Sequence, residues 1–160
     1  MTVKVLFVCL GNICRSPTAH GVFEQRVQQA GLTKNILVDS AATAAFHVGN
    51  PPDPRTIRAA ATRGYDLSAQ VSRQVTKNDF LHFDFILPMD RINLSNLRAI
   101  QPKDFVGHLG LFMDFSKQRQ YTQVPDPYND GAESFELVLD LVEDAADGLL
   151  KHIVSARLQG

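Results

Sequence analysis

The sequence predicts a doubly wound α/β fold: a parallel sheet with helices on both faces, in a single domain spanning residues 1–160. Two observations carry that reading. Apolar runs of strand length alternate along the chain with longer stretches of helical spacing. Glycine, proline and asparagine punctuate the changes, with no internal repeat, linker or low-complexity tract between them.

The elements follow in order. Lys4 to Cys9 is apolar and β-branched, as a strand buried on both faces should be. Gly11 and Asn12 break the regularity. Ser16 then stands as a cap before Pro17, which suits a first helical turn. Val22, Phe23, Val27 and Ala30 continue that helix until Gly31 stops it. A second strand is expected at Ile36 to Asp39. Gly49 to Pro54 reads as an ordered loop, and Arg55 to Arg63 as a short helix ending at Gly64. Phe83 to Leu87 is a third buried strand, Ile92 to Ile100 the helix after it, and Asp104 to Leu109 a fourth strand. The last helix runs from Ser134 to about Leu158, with Phe135, Val138, Leu141, Val142, Ala145, Leu149 and Ile153 on one stripe.

Composition excludes several functional classes. The chain has 160 residues, enough to bury a core without disulfides or metal. Its net charge of −1 supplies no broad basic face, so no nucleic-acid partner is expected. The apolar start is too short for a signal peptide or a membrane span, and no other stretch is long and apolar enough to cross a bilayer, so a cytoplasmic protein without a membrane partner is expected. The two cysteines, Cys9 and Cys14, would close too short a loop to act as a structural staple. In a reducing compartment such a pair is catalytic or redox-active more often than structural. The five histidines are scattered, with no zinc spacing, so no zinc site is expected.

The chemistry concentrates in Cys9-Leu10-Gly11-Asn12-Ile13-Cys14-Arg15-Ser16, at a strand-to-helix turn. In a doubly wound sheet, ligands bind beyond the carboxyl ends of the strands, where this loop would lie. Successive backbone N–H groups in such a loop converge on an anion, helped by the helix N-terminus. Gly11 is expected to take a backbone conformation that a side chain would oppose. Arg15 can grip two phosphate oxygens with its planar fork. The same field favours a thiolate at Cys9, placed for in-line attack on a bound phosphorus. Ser16 can donate to the sulfur and ease its departure, and Asn12 can brace the loop. A second piece is Asp126, set between Pro125 and Pro127 on a stiff backbone. Expelling a phenolate calls for such a proton donor. The other acids, Asp39, Asp53, Asp79, Asp84, Asp90 and Asp130, lie mostly at the ends of elements, where capping accounts for them.

The segments Cys9 to Pro17, Asp39-Ser-Ala-Ala-Thr43, Gly49-Asn-Pro-Pro-Asp-Pro-Arg55, Met89-Asp90 and Asp126-Pro-Tyr128 together resemble the low-molecular-weight protein tyrosine phosphatases. The resemblance spans nearly the whole chain in the family's order. It implies a four-stranded parallel sheet and a hydrolysis of phosphotyrosine through a cysteinyl phosphate, with no metal and no organic cofactor. On it, Cys9 is the nucleophile, Arg15 binds phosphate, and Asp126 serves as acid and then base. Leu10 to Cys14 and Ser16 form the phosphate loop, with Asn12, Ser16 and Ser40 in its supporting network. Cys14 resembles the family's second cysteine, which can pair reversibly with an oxidised Cys9. Ile13 stands where arginine-phosphatase relatives carry threonine, which favours phosphotyrosine.

The substrate walls depart from the family pattern. Phe46 replaces a Trp or Tyr, with His47 beside it, and Tyr128 supplies the opposite wall. Asn129 replaces a second aromatic, and Gln70 stands near where many relatives have histidine. Arsenate reduction on a similar loop would need a further cysteine, which this chain lacks. The partners implied are phosphotyrosine-containing proteins and a cognate tyrosine kinase, with the chain itself a monomer or weak dimer.

Overall fold

The computed structural model describes residues 2–158. Its elements run β1 (Val3–Cys9), α1 (Arg15–Gln29), β2 (Ile36–Ala42), α2 (Pro54–Ala61), α3 (Asp79–His82), β3 (Phe85–Pro88), α4 (Arg91–Ile100), β4 (His108–Leu109), a 3₁₀ turn (Phe112–Phe115) and α5 (Ala132–Ile153). A single π-type turn, Val154–Leu158, continues α5.

All strand pairs are parallel, and the order across the sheet is β2-β1-β3-β4. The chain therefore steps from β1 to one side and returns to the other, which opens a crevice beyond the carboxyl end of β1. Cys9 is the last residue of that strand.

Alternation along β1 divides the core in two. Val3, Val5, Phe7 and Cys9 face a cluster with Val22 and Phe23 of α1 and Leu139, Val142 and Leu149 of α5. Leu6 and Val8 face the other way, against Ile86, Phe80 of α3 and Leu97 of α4. Phe7 is the hub of the first layer, edge-on to Phe23 at 5.7 Å and to Phe112 at 5.0 Å.

Several boundaries differ from expectation. β2 extends to Ala42 because Ser40, Ala41 and Ala42 are small enough to be buried beside β1, a run that ordinary strand propensity does not mark. β3 begins at Phe85, since Phe83 ends α3. The fourth strand shrinks to two residues: Phe105 N–H turns back to the Pro102 carbonyl, and the Phe105 ring packs on Phe80 at 5.1 Å. Helix α1 starts at Arg15, with Cys14 in the cap position and no side-chain cap, so Ser16 is not the cap its sequence position suggests. No helix among the described residues is long and apolar enough to cross a membrane.

Candidate active site

The β1–α1 loop wraps around one sulfur. Cys9 Sγ accepts from the N–H of Asn12 at 3.3 Å and of Ser16 at 3.5 Å, and lies 3.1 Å from Ser16 Oγ. Asn12 Nδ2 donates to that same hydroxyl at 2.8 Å. With an acceptor site of Ser16 occupied, its proton is free to point at the sulfur. The hydroxyl expected to cap a helix is thus turned to the thiol.

Asn12, not Gly11, takes the left-handed backbone, with φ of 57°. Its Oδ1 accepts from Arg73 N–H at 3.3 Å, and the Ser72 hydroxyl donates to the Gly11 carbonyl at 3.0 Å. Gly11 serves by its missing side chain: a Cβ there would come 2.9 Å from the His47 ring.

Arg15 is buried, and its Nη1 donates to Asp90 Oδ2 at 2.6 Å and to the Val124 carbonyl at 3.1 Å. Burial opposes its charge, but the negative charge of Cys9 and the Asp90 carboxylate outweigh burial and hold the guanidinium above its ordinary range. Nη2 faces Asp126 Oδ2 at 3.8 Å. Asp126, half exposed, accepts from Tyr128 N–H at 3.1 Å. A cleft of about 240 Å³ opens over these groups, lined by Cys9, Leu10, Gly11, Ile13, Cys14, Arg15, Phe46, His47, Asp126, Tyr128 and Asn129. Phe46 and Tyr128 stand exposed at its mouth, with the His47 ring 6.5 Å from Phe46 and 6.4 Å from Tyr128. A wider groove of about 560 Å³ beside the start of β2 contains neither cysteine nor serine and lies away from this chemistry.

The sequence profile of the family described as low molecular weight phosphotyrosine protein phosphatase matches residues 4–158. This chain belongs to that family. The low molecular weight phosphotyrosine protein phosphatase of Homo sapiens is 43% identical over 139 residues, 86% of this chain and 87% of that protein. A crystal structure of protein tyrosine phosphatase from Entamoeba histolytica, with Hepes in the active site, superposes with a TM-score of 0.94 at 37% identity. It covers 98% of this chain and 99% of that one. A Drosophila arginine phosphatase shares the fold at a TM-score of 0.89 and 28% identity, covering 96% of this chain and 99% of its own.

Within this phosphatase fold, Ser40 lies a step back from the loop. Its hydroxyl meets His20 Nδ1 at 3.1 Å and Gln70 Oε1 at 3.5 Å, and Gln70 in turn donates to the Pro17 carbonyl at 3.0 Å. Cys9 and Cys14 are both buried free thiols. Among the described residues no three His, Cys, Asp or Glu side chains converge as a metal site.

Sequence reasoning read Asp90 as a cap alone. Its Oδ1 does cap α4 through Asn93 N–H at 2.7 Å, while Oδ2 holds Arg15. Ser72 and Arg73 were not singled out. Arg73 is pinned between Asp39 and both oxygens of Asp79, which fixes the strap that braces Asn12. Ser72 is uncharged and Arg73 stands in the largely polar run from Gln70 to Asn78, so nothing in the local sequence sets either apart.

Proposed function

We propose that this chain hydrolyses phosphotyrosine, and aryl phosphate monoesters generally, through a cysteinyl phosphate on Cys9 with Asp126 as general acid and base. The observation that supports this most is the convergence of two backbone N–H groups and the Ser16 hydroxyl on one sulfur, beneath a cleft that also holds Arg15 and Asp126.

In the first step the Cys9 thiolate attacks phosphorus in line. An S–P bond forms as the bond from phosphorus to the phenolic oxygen breaks, and Asp126 gives its proton to that oxygen. The assistance matters because the leaving phenol has a pKa of about 10. Arg15 and the loop N–H groups hold the equatorial oxygens as charge spreads over them. In the second step Asp126, now a carboxylate, takes a proton from water as the water oxygen attacks phosphorus. The S–P bond breaks, the Ser16 hydroxyl steadies the departing thiolate, and inorganic phosphate leaves.

Phe46 and Tyr128 would sandwich the substrate ring. The ring also supplies reach, since the sulfur is buried below the rim. Ile13 presents an apolar group where a phosphoarginine substrate would want a polar one. The substrates would be phosphotyrosine-bearing proteins, with a tyrosine kinase writing the mark that this chain, a monomer or weak dimer, removes. Two free thiols suit a reducing cytoplasm.

The test is turnover of p-nitrophenyl phosphate at mildly acid pH with chelator present, wild type against Cys9→Ser. Phosphotyrosine, phosphoserine and phosphoarginine peptides follow. Abolished turnover in the variant and a strong preference for phosphotyrosine are expected. Turnover surviving in Cys9→Ser, or equal rates on the three peptides, would refute the assignment.

A further inference from the structure

The Gly49–Arg55 segment has no part in the chemistry above, yet it joins the two halves of the site. Asp53 N–H donates to the Ile13 carbonyl of the phosphate loop at 2.8 Å. The Asp53 carboxylate is nearly buried; it caps α2 through Arg55 N–H at 2.8 Å and accepts Arg55 Nε at 3.1 Å and Nη2 at 2.8 Å. That same Nη2 donates to the Tyr128 carbonyl at 2.8 Å. The guanidinium also lies over the Tyr128 ring at 5.4 Å and the Phe135 ring at 4.8 Å.

Tyr128 is the residue whose N–H holds Asp126 Oδ1. One residue therefore has its carbonyl fastened by Arg55 and its amide fastened to the acid. Upstream, the acid loop is tied at Val124, whose N–H donates to the Met89 carbonyl at 2.9 Å and whose carbonyl takes Arg15 Nη1. Downstream, the Arg55 bond is the one hydrogen bond from outside the loop to residues 125–130, among the described residues. Asp126 hangs between these two supports.

We propose that Arg55 is a positioning residue for the general acid: through Asp53 and Tyr128 it sets the distance between Asp126 and the phosphate loop. The inference rests on the reading of Asp126 as acid and base. An exposed ion pair alone adds little to stability. The effect here is geometric, because a group displaced by an ångström from its productive position loses much of its catalytic contribution. Lysine would not replace arginine, since one ammonium cannot hold Asp53 in a fork, bond Tyr128 and stack on two rings together.

The experiment measures kcat, KM and phosphate inhibition for wild type, Arg55→Ala, Arg55→Lys, Asp126→Ala and the Arg55→Ala/Asp126→Ala double variant. Phenyl phosphate serves as the poor leaving group and p-nitrophenyl phosphate as the good one. Arg55→Ala should lower kcat on phenyl phosphate by about tenfold and on p-nitrophenyl phosphate by less than about threefold, with phosphate inhibition unchanged. Arg55→Lys should fall between wild type and Arg55→Ala. In the Asp126→Ala background, removing Arg55 should cost nothing further on phenyl phosphate, because the acid that it positions is gone. Equal losses on both esters, or a full additive loss in the double variant, would overturn the inference while leaving the phosphatase reading intact. Absence of wild-type turnover on either ester would overturn both. Should Arg55→Ala unfold, the Arg55→Lys comparison carries the same ester test, and a wild-type ratio there would count against the coupling.

Discussion

Cys14 sits five positions after Cys9 in the same loop, yet the two thiols meet different surroundings. Two backbone N–H groups and the Ser16 hydroxyl surround the Cys9 sulfur. Cys14 packs with Ile13 and Phe135, and burial pushes its thiol up to about 12. The negative charges of Asp53 and Cys9 add to that rise, and the Thr56 hydroxyl opposes it. At pH 8 a thiol so placed is ionised in only about one molecule in ten thousand, and the thiolate is the form that reacts. Iodoacetamide at pH 8 is therefore expected to label Cys9 and abolish activity, sparing Cys14 until the protein is denatured. Peptide mapping checks this, and comparable labelling of both sites in the folded protein would contradict it. At this scale the sequence was most legible where partners are neighbours. Cys9, Asn12, Arg15 and Ser16 lie within eight consecutive residues, so their chemistry reads as a motif. Asp90 meets Arg15 across seventy-five positions, and its local role as a helix cap already accounted for it. Only folding brings the second role into view.

At the scale of elements, α5 illustrates how packing overrides propensity. Gly148 lies in its interior, where alanine would ordinarily be favoured by about 1 kcal/mol. A Cβ at Gly148 would come 1.9 Å from the Phe115 carbonyl oxygen, at the end of the 3₁₀ turn. The helix approaches that turn so closely that a side chain leaves no room, and backbone cannot swing aside as a rotamer can. Overpacking of this kind costs about 1–3 kcal/mol. Gly148→Ala is thus expected to destabilise the protein, against the direction of helix propensity, and urea unfolding measures it. A more stable variant would mean that the turn can yield freely. The same reasoning separates what was legible among the elements. β1 and α5 carry long, regular apolar patterns and were placed to within a residue or two at most boundaries. α3 and the 3₁₀ turn have four residues each, too few to show any period. The fourth strand was overextended because Val106 and its neighbours are apolar. Val106 is in fact almost fully exposed, and Phe105 is drawn to α3 instead.

Across the whole molecule, the proposed anion site is a junction of parts distant in the chain. The sulfur ends β1, Arg15 and Ser16 begin α1, the strap at Ser72 and Arg73 comes from beside β2, and Asp90 heads α4. The acid loop closes the remaining side through Val124 and Asp126. An anion seated there would touch or brace all of these together, so its binding energy should appear in global stability. At a concentration one hundred times its dissociation constant, a ligand that binds only the folded state adds about 2.7 kcal/mol. For a chain of this length each kcal/mol raises Tm by about 2–4 °C. Inorganic phosphate is therefore expected to raise Tm by about 5–10 °C near saturation, relative to chloride at equal ionic strength. Arg15→Lys keeps the charge but loses the fork, and should show a smaller rise; Arg15→Ala should show almost none. Because removing Arg15 also leaves Asp90 without its cation, the baseline Tm of Arg15→Ala should fall as well. The lysine variant thus separates ligand binding from that loss. If phosphate inhibits turnover fully yet leaves Tm unmoved, the unfolded chain would have to bind phosphate as tightly as the folded one, and the site would not depend on the junction described above.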